Sequence, residues 1–365
     1  MIGAARSLID RVLGRGEASS TVPPMDGQLK PNQLLERAAV VAELEAAEDL
    51  ATDGETVFVA DGPRLLRLGG GAPAEVARVE GTITALCSLG GGGFAVAVDG
   101  TSVRMLGGAQ DGKRWESAAG MPFVAVNAVA PAADGRGLIV TDGSRTEPYA
   151  RWCHDLMARG KSGRLVALDL AGGAREVASG LAYAFGAAAS GPEIWVSESW
   201  RHRLVAFGGS RPGRAVLENL PVYPSRLAPA AGGGWWLTAF TARTQLVEFV
   251  LREPAYCRRM MREIDPRYWI APRLSSGHTY LEPMQGAHIK TMGILKPWAP
   301  PRSYGLVIRL DEQGLPRYSL HSRVDGRHHG VVAAVECRGQ LYVLAKGCGK
   351  ILRLAVAAVE EELLP

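Results

Sequence analysis

Short alternating runs of apolar residues recur along the chain, each entered through a glycine-containing turn. They are 56–60 (TVFVA) after Asp53 and Gly54, 94–98 (FAVAV) after the glycines 90–93, and 137–141 (GLIVT) after Asp134 and Gly135. The series continues with 193–197 (EIWVS) after Ser190 and Gly191, 235–239 (WWLTA) after the glycines 232–234, and 340–344 (QLYVL) after Arg338 and Gly339. A second apolar run follows most of them: 65–68 (LLRL), 165–168 (LVAL), 204–207 (LVAF) and 351–354 (ILRL). Runs of this length bounded by Gly and Asp are β-hairpin signals. Hairpins returning at roughly 40-residue intervals predict a propeller with one four-stranded blade per repeat. The pattern therefore predicts an all-β, six-bladed β-propeller over 31–358. Such a fold gathers one loop from every blade around a central channel, so function is expected at matched positions of successive blades.

Three stretches depart from the repeat. Ile2, Ala5, Leu8, Ile9, Val12 and Leu13 share one helical face, which predicts a short N-terminal helix, followed by a linker to residue 30. A segment at 34–44 is expected to close the ring by pairing with the last blade, which removes free sheet edges. The spacing breaks between the fifth and sixth hairpins, and 251–303 reads as a lid-like insertion before the last blade, with Tyr304 resuming the sixth. Within it, apolar residues at 256, 260, 261 and 264 after Pro254 predict a helix whose arginines face solvent or an anionic membrane. Its aromatic, Pro-rich remainder predicts a lid over the channel mouth or an oligomer contact. Residues 359–365 read as a C-terminal tail.

Composition narrows the function classes. A net charge of +4 over 365 residues argues against a nucleic-acid partner. The apolar stretches are too short and too interrupted to span a bilayer, and 2–13 carries Arg6, Asp10 and Arg11 where a secretory signal would be apolar. The five cysteines form no Cys-x-x-Cys pair, a pattern of free thiols in a reducing compartment. The expected location is cytoplasmic, with peripheral membrane contact as the alternative.

Several segments resemble the strictosidine synthase-like proteins, of the adipocyte plasma membrane-associated type, within the wider gluconolactonase–paraoxonase group. They are 126–130 (VNAVA), 141–144 (TDGS), 162–166 (SGRLV), 180–186 (GLAYAFG), 198–204 (ESWRHRL), 219–224 (NLPVYP), 304–311 (YGLVIRLD) and 329–336 (HGVVAAVE), in collinear order. The resemblance implies a six-bladed propeller with a calcium ion at the channel mouth, held by one Glu, one Asp and Asn side chains from different blades. Calcium suits hard oxygen ligands and polarises an ester or lactone oxygen. Glu48 and Asn127 stand at two of the implied ligand positions. Phe185 and Ser225 stand where the family has Asn and Asp. Only half of the cage is present, and two oxygens leave an ion that needs six to eight mostly hydrated.

Arg226, beside Ser225, is expected either to pair with Glu48 and supply the missing positive charge or to present its fork to an anionic substrate. Trp200 and Tyr223 lie in resembling segments and are expected to contact ligand. Acid–base chemistry is assigned to Glu48, His329 and His202; His278 and His288 fall in the lid, and His154 in an excursion of the third blade. The plant synthases carry a catalytic Glu where this chain has Val332, which disfavours amine–aldehyde condensation. The reading is thus a hydrolase of small esters or lactones with a degenerate metal site, or a non-catalytic propeller that binds a small molecule.

Overall fold

Each predicted hairpin strand folds as the second strand of a four-stranded antiparallel sheet, and six such sheets stand around a channel. The computed structural model describes residues 22–208, 213–278, 281–283, 290–291, 294–295 and 302–364. The predicted N-terminal helix lies outside the described residues. The inner strands, in order, are Ala47–Thr52, Ile83–Gly90, Val126–Pro131, Ala184–Ser190, Val222–Pro229 and Val331–Cys337. Alternation sends the side chains of each blade into the faces of its neighbours. Leu138, Val140, Val166 and Leu168 of the third blade, for instance, pack with Ala95, Ala97 and Val103 of the second.

Ring closure follows the expectation. Ala39–Glu43 pairs antiparallel with Lys350–Ala355 and becomes the outermost strand of the sixth blade. The segment before it is fastened to the fifth blade: Asn32 Nδ2 donates to the Ser319 carbonyl at 2.7 Å, and Asn32 Oδ1 accepts from the His321 amide. The strand Ala39–Glu43 and the segment before it are thereby held in adjacent blades.

The insertion sits elsewhere than predicted. Gly305–Leu310 pairs with Trp235–Ala242 as the third strand of the fifth blade, so Tyr304 does not open the sixth. The excursion thus replaces a tight turn inside one sheet. It begins with the helix Gln245–Val250, capped by Thr244, whose hydroxyl accepts from the Val247 amide. The predicted helix follows as Pro254–Glu263, but it buries Cys257 and Met260 and leaves Tyr256 exposed. Much of the aromatic lid, with His288, lies outside the described residues. His278 is exposed and bonds Ser275. The expected tail is helical, over Val356–Leu363. No helix among the described residues is long and apolar enough to cross a membrane.

One buried histidine ties the fifth blade to this closure. His321 is fully buried, with Nδ1 against the Tyr304 hydroxyl at 3.0 Å and Nε2 against the Ser319 hydroxyl at 2.7 Å. Burial holds its pKa down to about 3. The unfolded chain binds this proton near pH 6.5, so below that pH the unfolded state holds more protons than the native one. Stability carried by neutral His321 is therefore lost as pH falls from about 6.5 toward 3. His321→Gln is expected to flatten the pH dependence of urea unfolding between pH 7 and 4 by about 1.4 kcal/mol per pH unit at most. A wild-type slope unchanged in the variant would contradict this.

Candidate active site at the channel mouth

All six inner strands carry an irregularity at the same place. Pairing with the second strand skips from Ala47 to Asp49, from Ile83 to Ala85, from Val126 to Ala128 and from Val331 to Ala333. In the fourth and fifth blades the skips run from Ala184 to Ala187 and from Pro224 to Leu227. A bulge inserts one residue that has no place in the ladder and turns it out of the sheet. The inserted positions form a ring: Glu48, Thr84, Asn127, Phe185 with Gly186, Ser225 with Arg226, and Val332. Every ligand position implied by the resemblance falls on this ring, as does Val332. Thr84 completes it and was missed by the sequence reading.

The ring does not have the donor set of a calcium site. The Glu48 carboxylate accepts from the Tyr149 hydroxyl at 2.7 Å and forms an ion pair with the Lys346 ammonium. Asn127 is fully buried, its Nδ2 donating to the Ala184 carbonyl at 2.8 Å and its Oδ1 facing the Tyr183 hydroxyl. Phe185 offers only its ring. Ser225 turns its hydroxyl away, to Thr238 Oγ1 at 2.8 Å and the Val331 carbonyl. Among the described residues no cluster of three or more His, Cys, Asp or Glu side chains is placed to hold a metal ion.

Arg226 fills the centre of the ring. Its Nη1 donates to the carbonyls of Glu48 and Val332 at 3.2 and 3.4 Å, and its Nη2 to those of Thr84 and Asn127 at 2.8 and 2.7 Å. Nε lies 3.1 Å from Asp49 Oδ2, bent away from hydrogen-bond alignment. The guanidinium also stands over the Phe185 ring, 5.3 Å from its centroid. The expected pairing with the Glu48 carboxylate is therefore corrected to one with the Glu48 carbonyl and the Asp49 carboxylate. With its fork spent on backbone, Arg226 is not free to grip a substrate anion. Burial raises the Asp49 carboxyl to about 6, and Arg226 with the Leu86 and Leu50 amides restrains the rise.

Above the ring opens a cavity of about 430 Å³. Its floor is Glu48, Thr84, Phe185 and Val332; its walls come mainly from the loops that join second to third strands. The third blade supplies Tyr149 and Trp152, the fourth Trp200, and the sixth Lys346, while Phe240 comes from the second strand of the fifth, Trp235–Ala242. Tyr183 stacks on Trp200 at 4.4 Å between centroids, and Trp200 donates its indole N–H to Asp155 at 2.7 Å. The result is an aromatic chamber in which the Glu48 carboxylate, the Lys346 ammonium and the Tyr149 phenol meet at the base, with Asp99 and Tyr183 also in its lining. Burial, reinforced by Glu48, pushes the Tyr149 phenol well above its ordinary pKa, so it remains a donor at neutral pH.

The other predicted residues separate into two groups. Trp200 lines the chamber, and Tyr223 packs behind it with its hydroxyl toward Glu248. His202 and His329 do not reach Glu48. His202 bonds the Val222 carbonyl at 3.0 Å and faces Glu248, while His329 is held by Ser303 and the Arg323 carbonyl, both at 2.7 Å. Burial lowers the pKa of both, consistent with neutral structural imidazoles. The helix Trp152–Met157 carries His154 away from the chamber, against Trp269. Sequence reasoning missed Tyr149, Trp152, Phe240 and Lys346. Lys346 directly follows its second strand, Phe240 lies within Trp235–Ala242, and Tyr149 and Trp152 lie further along the loop after Gly137–Asp142, so no shared local signal marks them.

No protein-family model and no curated protein sequence matches the chain. Solved structures do. A gluconolactonase from Xanthomonas campestris aligns at 13% identity with a TM-score of 0.54, covering 86% of each chain. A putative gluconolactonase aligns at 12% identity and a TM-score of 0.52 over 87% of this chain and 90% of its own. A calcium-binding protein, regucalcin, from Agrobacterium tumefaciens aligns at 10% identity and a TM-score of 0.52 over 87% and 92%. At these identities the likeness is one of fold.

Asn127 therefore acts in this chain as a clamp between the third and fourth blades. Asn127→Ala is expected to lower stability by about 1–3 kcal/mol, the cost of orphaning the buried Ala184 carbonyl. The loss should be the same in calcium and in chelator; a calcium-dependent loss, read by thermal unfolding, would make Asn127 a ligand.

Proposed function

We propose that this chain hydrolyses small apolar or aryl esters or lactones, using side chains for the charge that a metal ion would otherwise supply. The observation that carries the reading is the Glu48 carboxylate at the floor of an aromatic chamber, held between the Lys346 ammonium and the Tyr149 hydroxyl. The propeller fold shared with gluconolactonases supports the reaction class. The aromatic walls favour a substrate with an apolar or ring-shaped body over a strongly charged one.

In this reading Glu48 takes a proton from water as the water oxygen attacks the substrate carbonyl carbon. Lys346 and Tyr149 turn their donated hydrogens to the oxyanion that forms, the task of preorganised donors in acyl transfer. Collapse breaks the bond to the leaving oxygen, and the protonated Glu48 returns its proton to that alkoxide. In a lactone the acid and alcohol stay in one molecule. Val332 supplies no acid or base at its ring position, so amine–aldehyde condensation is not proposed.

A second reading is a binding propeller without turnover, favoured by the same ion pair: Lys346 and Tyr149 already satisfy Glu48, as in a settled structural contact. A panel of aryl esters and five- and six-membered lactones, assayed in chelator, separates the two. Hydrolysis is expected above the buffer rate, falling by about 100-fold or more in Glu48→Gln and by about 10- to 100-fold in Lys346→Met. Trp200→Ala is expected to act mainly on KM. Hydrolysis unchanged in Glu48→Gln would contradict the mechanism, and none by wild type would favour the binding module.

A further inference from the structure

The polar groups at the centre of the ring are those of a cation site. Bulging frees the carbonyls of Glu48, Thr84, Asn127 and Val332 from the inner ladders, and all four are directed to one point on the channel axis. The Asp49 carboxylate stands beside that point and is 2% exposed. Four carbonyl dipoles and one buried carboxylate converging on a point would repel one another with nothing positive between them. The guanidinium answers this arrangement donor for donor. Its four terminal N–H groups meet the four carbonyls, its charge pairs with Asp49 Oδ2 at 3.1 Å from Nε without an aligned hydrogen bond, and the Phe185 ring covers its face.

The approach of the fifth blade needs one further concession. A Cβ at Gly186 would lie 2.6 Å from the Arg226 Cα and 2.5 Å from the Ser225 carbonyl oxygen, so only glycine lets the fourth blade lie against this segment. The level of Arg226 also divides the channel. The aromatic chamber ends on Glu48, Thr84, Phe185 and Val332, and a second cavity, of about 270 Å³, begins on Asp49, Leu86, Ala187 and Ala333.

We propose that the channel axis is a cation site whose resident cation is the Arg226 guanidinium, which joins the inner strands of five blades and makes the ring independent of any bound metal ion. The proposal concerns the frame and stands apart from the hydrolytic reading of the chamber above. It accounts for two departures from the implied metal cage: Ser225 turned away from the axis, and Asn127 spent on the neighbouring blade.

Thermal unfolding in chelator and in calcium chloride tests it, on wild type, Arg226→Ala and Arg226→Lys. Wild type is expected to melt at the same temperature in both buffers. Arg226→Ala is expected to melt lower by about 5–15 °C, as a buried carboxylate loses its countercharge and the Glu48, Thr84 and Asn127 carbonyls lose this donor, while Thr238 Oγ1 still meets the Val332 carbonyl. A few millimolar guanidinium ion, far below denaturing levels, is expected to restore part of that loss and to leave wild type unmoved. Should Arg226→Ala give no folded protein, Arg226→Lys carries the comparison, because an ammonium with three donors cannot meet four carbonyls. It is expected to fold, to melt below wild type, and to gain nothing from guanidinium. A wild type destabilised by chelator, either variant melting with wild type, or a folded Arg226→Ala that guanidinium does not restore would overturn the proposal.

Discussion

The guanidinium of Arg226, donating to carbonyls of four blades while belonging to a fifth, is the interaction on which the centre of this propeller depends. A closed ring of sheets leaves its innermost strands with nothing beyond them, and matched bulges turn one residue of each toward the axis. Those residues bring unpaired carbonyls into a space that water enters poorly, a costly arrangement unless each finds a donor. A planar fork with fixed donors meets the requirement with a single side chain. The cost is a buried charge, which Asp49 neutralises at 3.1 Å.

From this centre the chamber above acquires its character. Arg226 faces backbone and Asp49, so Glu48 keeps its carboxylate for the cavity, where Lys346 and Tyr149 meet it. Phe185, lying against the guanidinium, presents an aromatic floor where an amide ligand was expected. Trp152 and Trp200 from loops after second strands, Tyr183 from the turn into Ala184–Ser190 and Phe240 of Trp235–Ala242 then form the walls, and buried Asp155 and Asn127 fix the polar ends of two of those rings. The Glu48, Lys346 and Tyr149 cluster thus stands at one end of a largely aromatic space.

The hairpin repeat was legible because strand alternation and glycine turns are local signals, and all six second strands lie where the periodicity put them. The fifth blade was misread because Trp235–Ala242 and Gly305–Leu310 pair across an excursion of more than sixty residues, a relation that no local pattern carries. The ring was legible at Glu48, Asn127, Phe185 and Ser225 only through the family resemblance. It was less so at Arg226: strict alternation turns only one of two adjacent residues inward, and the bulge breaks that alternation. Lys346 and Tyr149 could not be paired with Glu48 from sequence, since they lie 298 and 101 residues away and meet it only when the ring closes. His202 and His329 drew attention as titratable groups near blade loops, yet backbone carbonyls already occupy them.

A side chain, not an ion, occupies the axis of this propeller. A high-resolution crystal structure grown in millimolar calcium chloride tests it most directly. The expected density is a planar guanidinium within hydrogen-bonding distance of the Glu48, Thr84, Asn127 and Val332 carbonyls, with no metal ion on the axis. A calcium ion bound by Glu48 and Asn127, with Arg226 displaced from the ring, would contradict it.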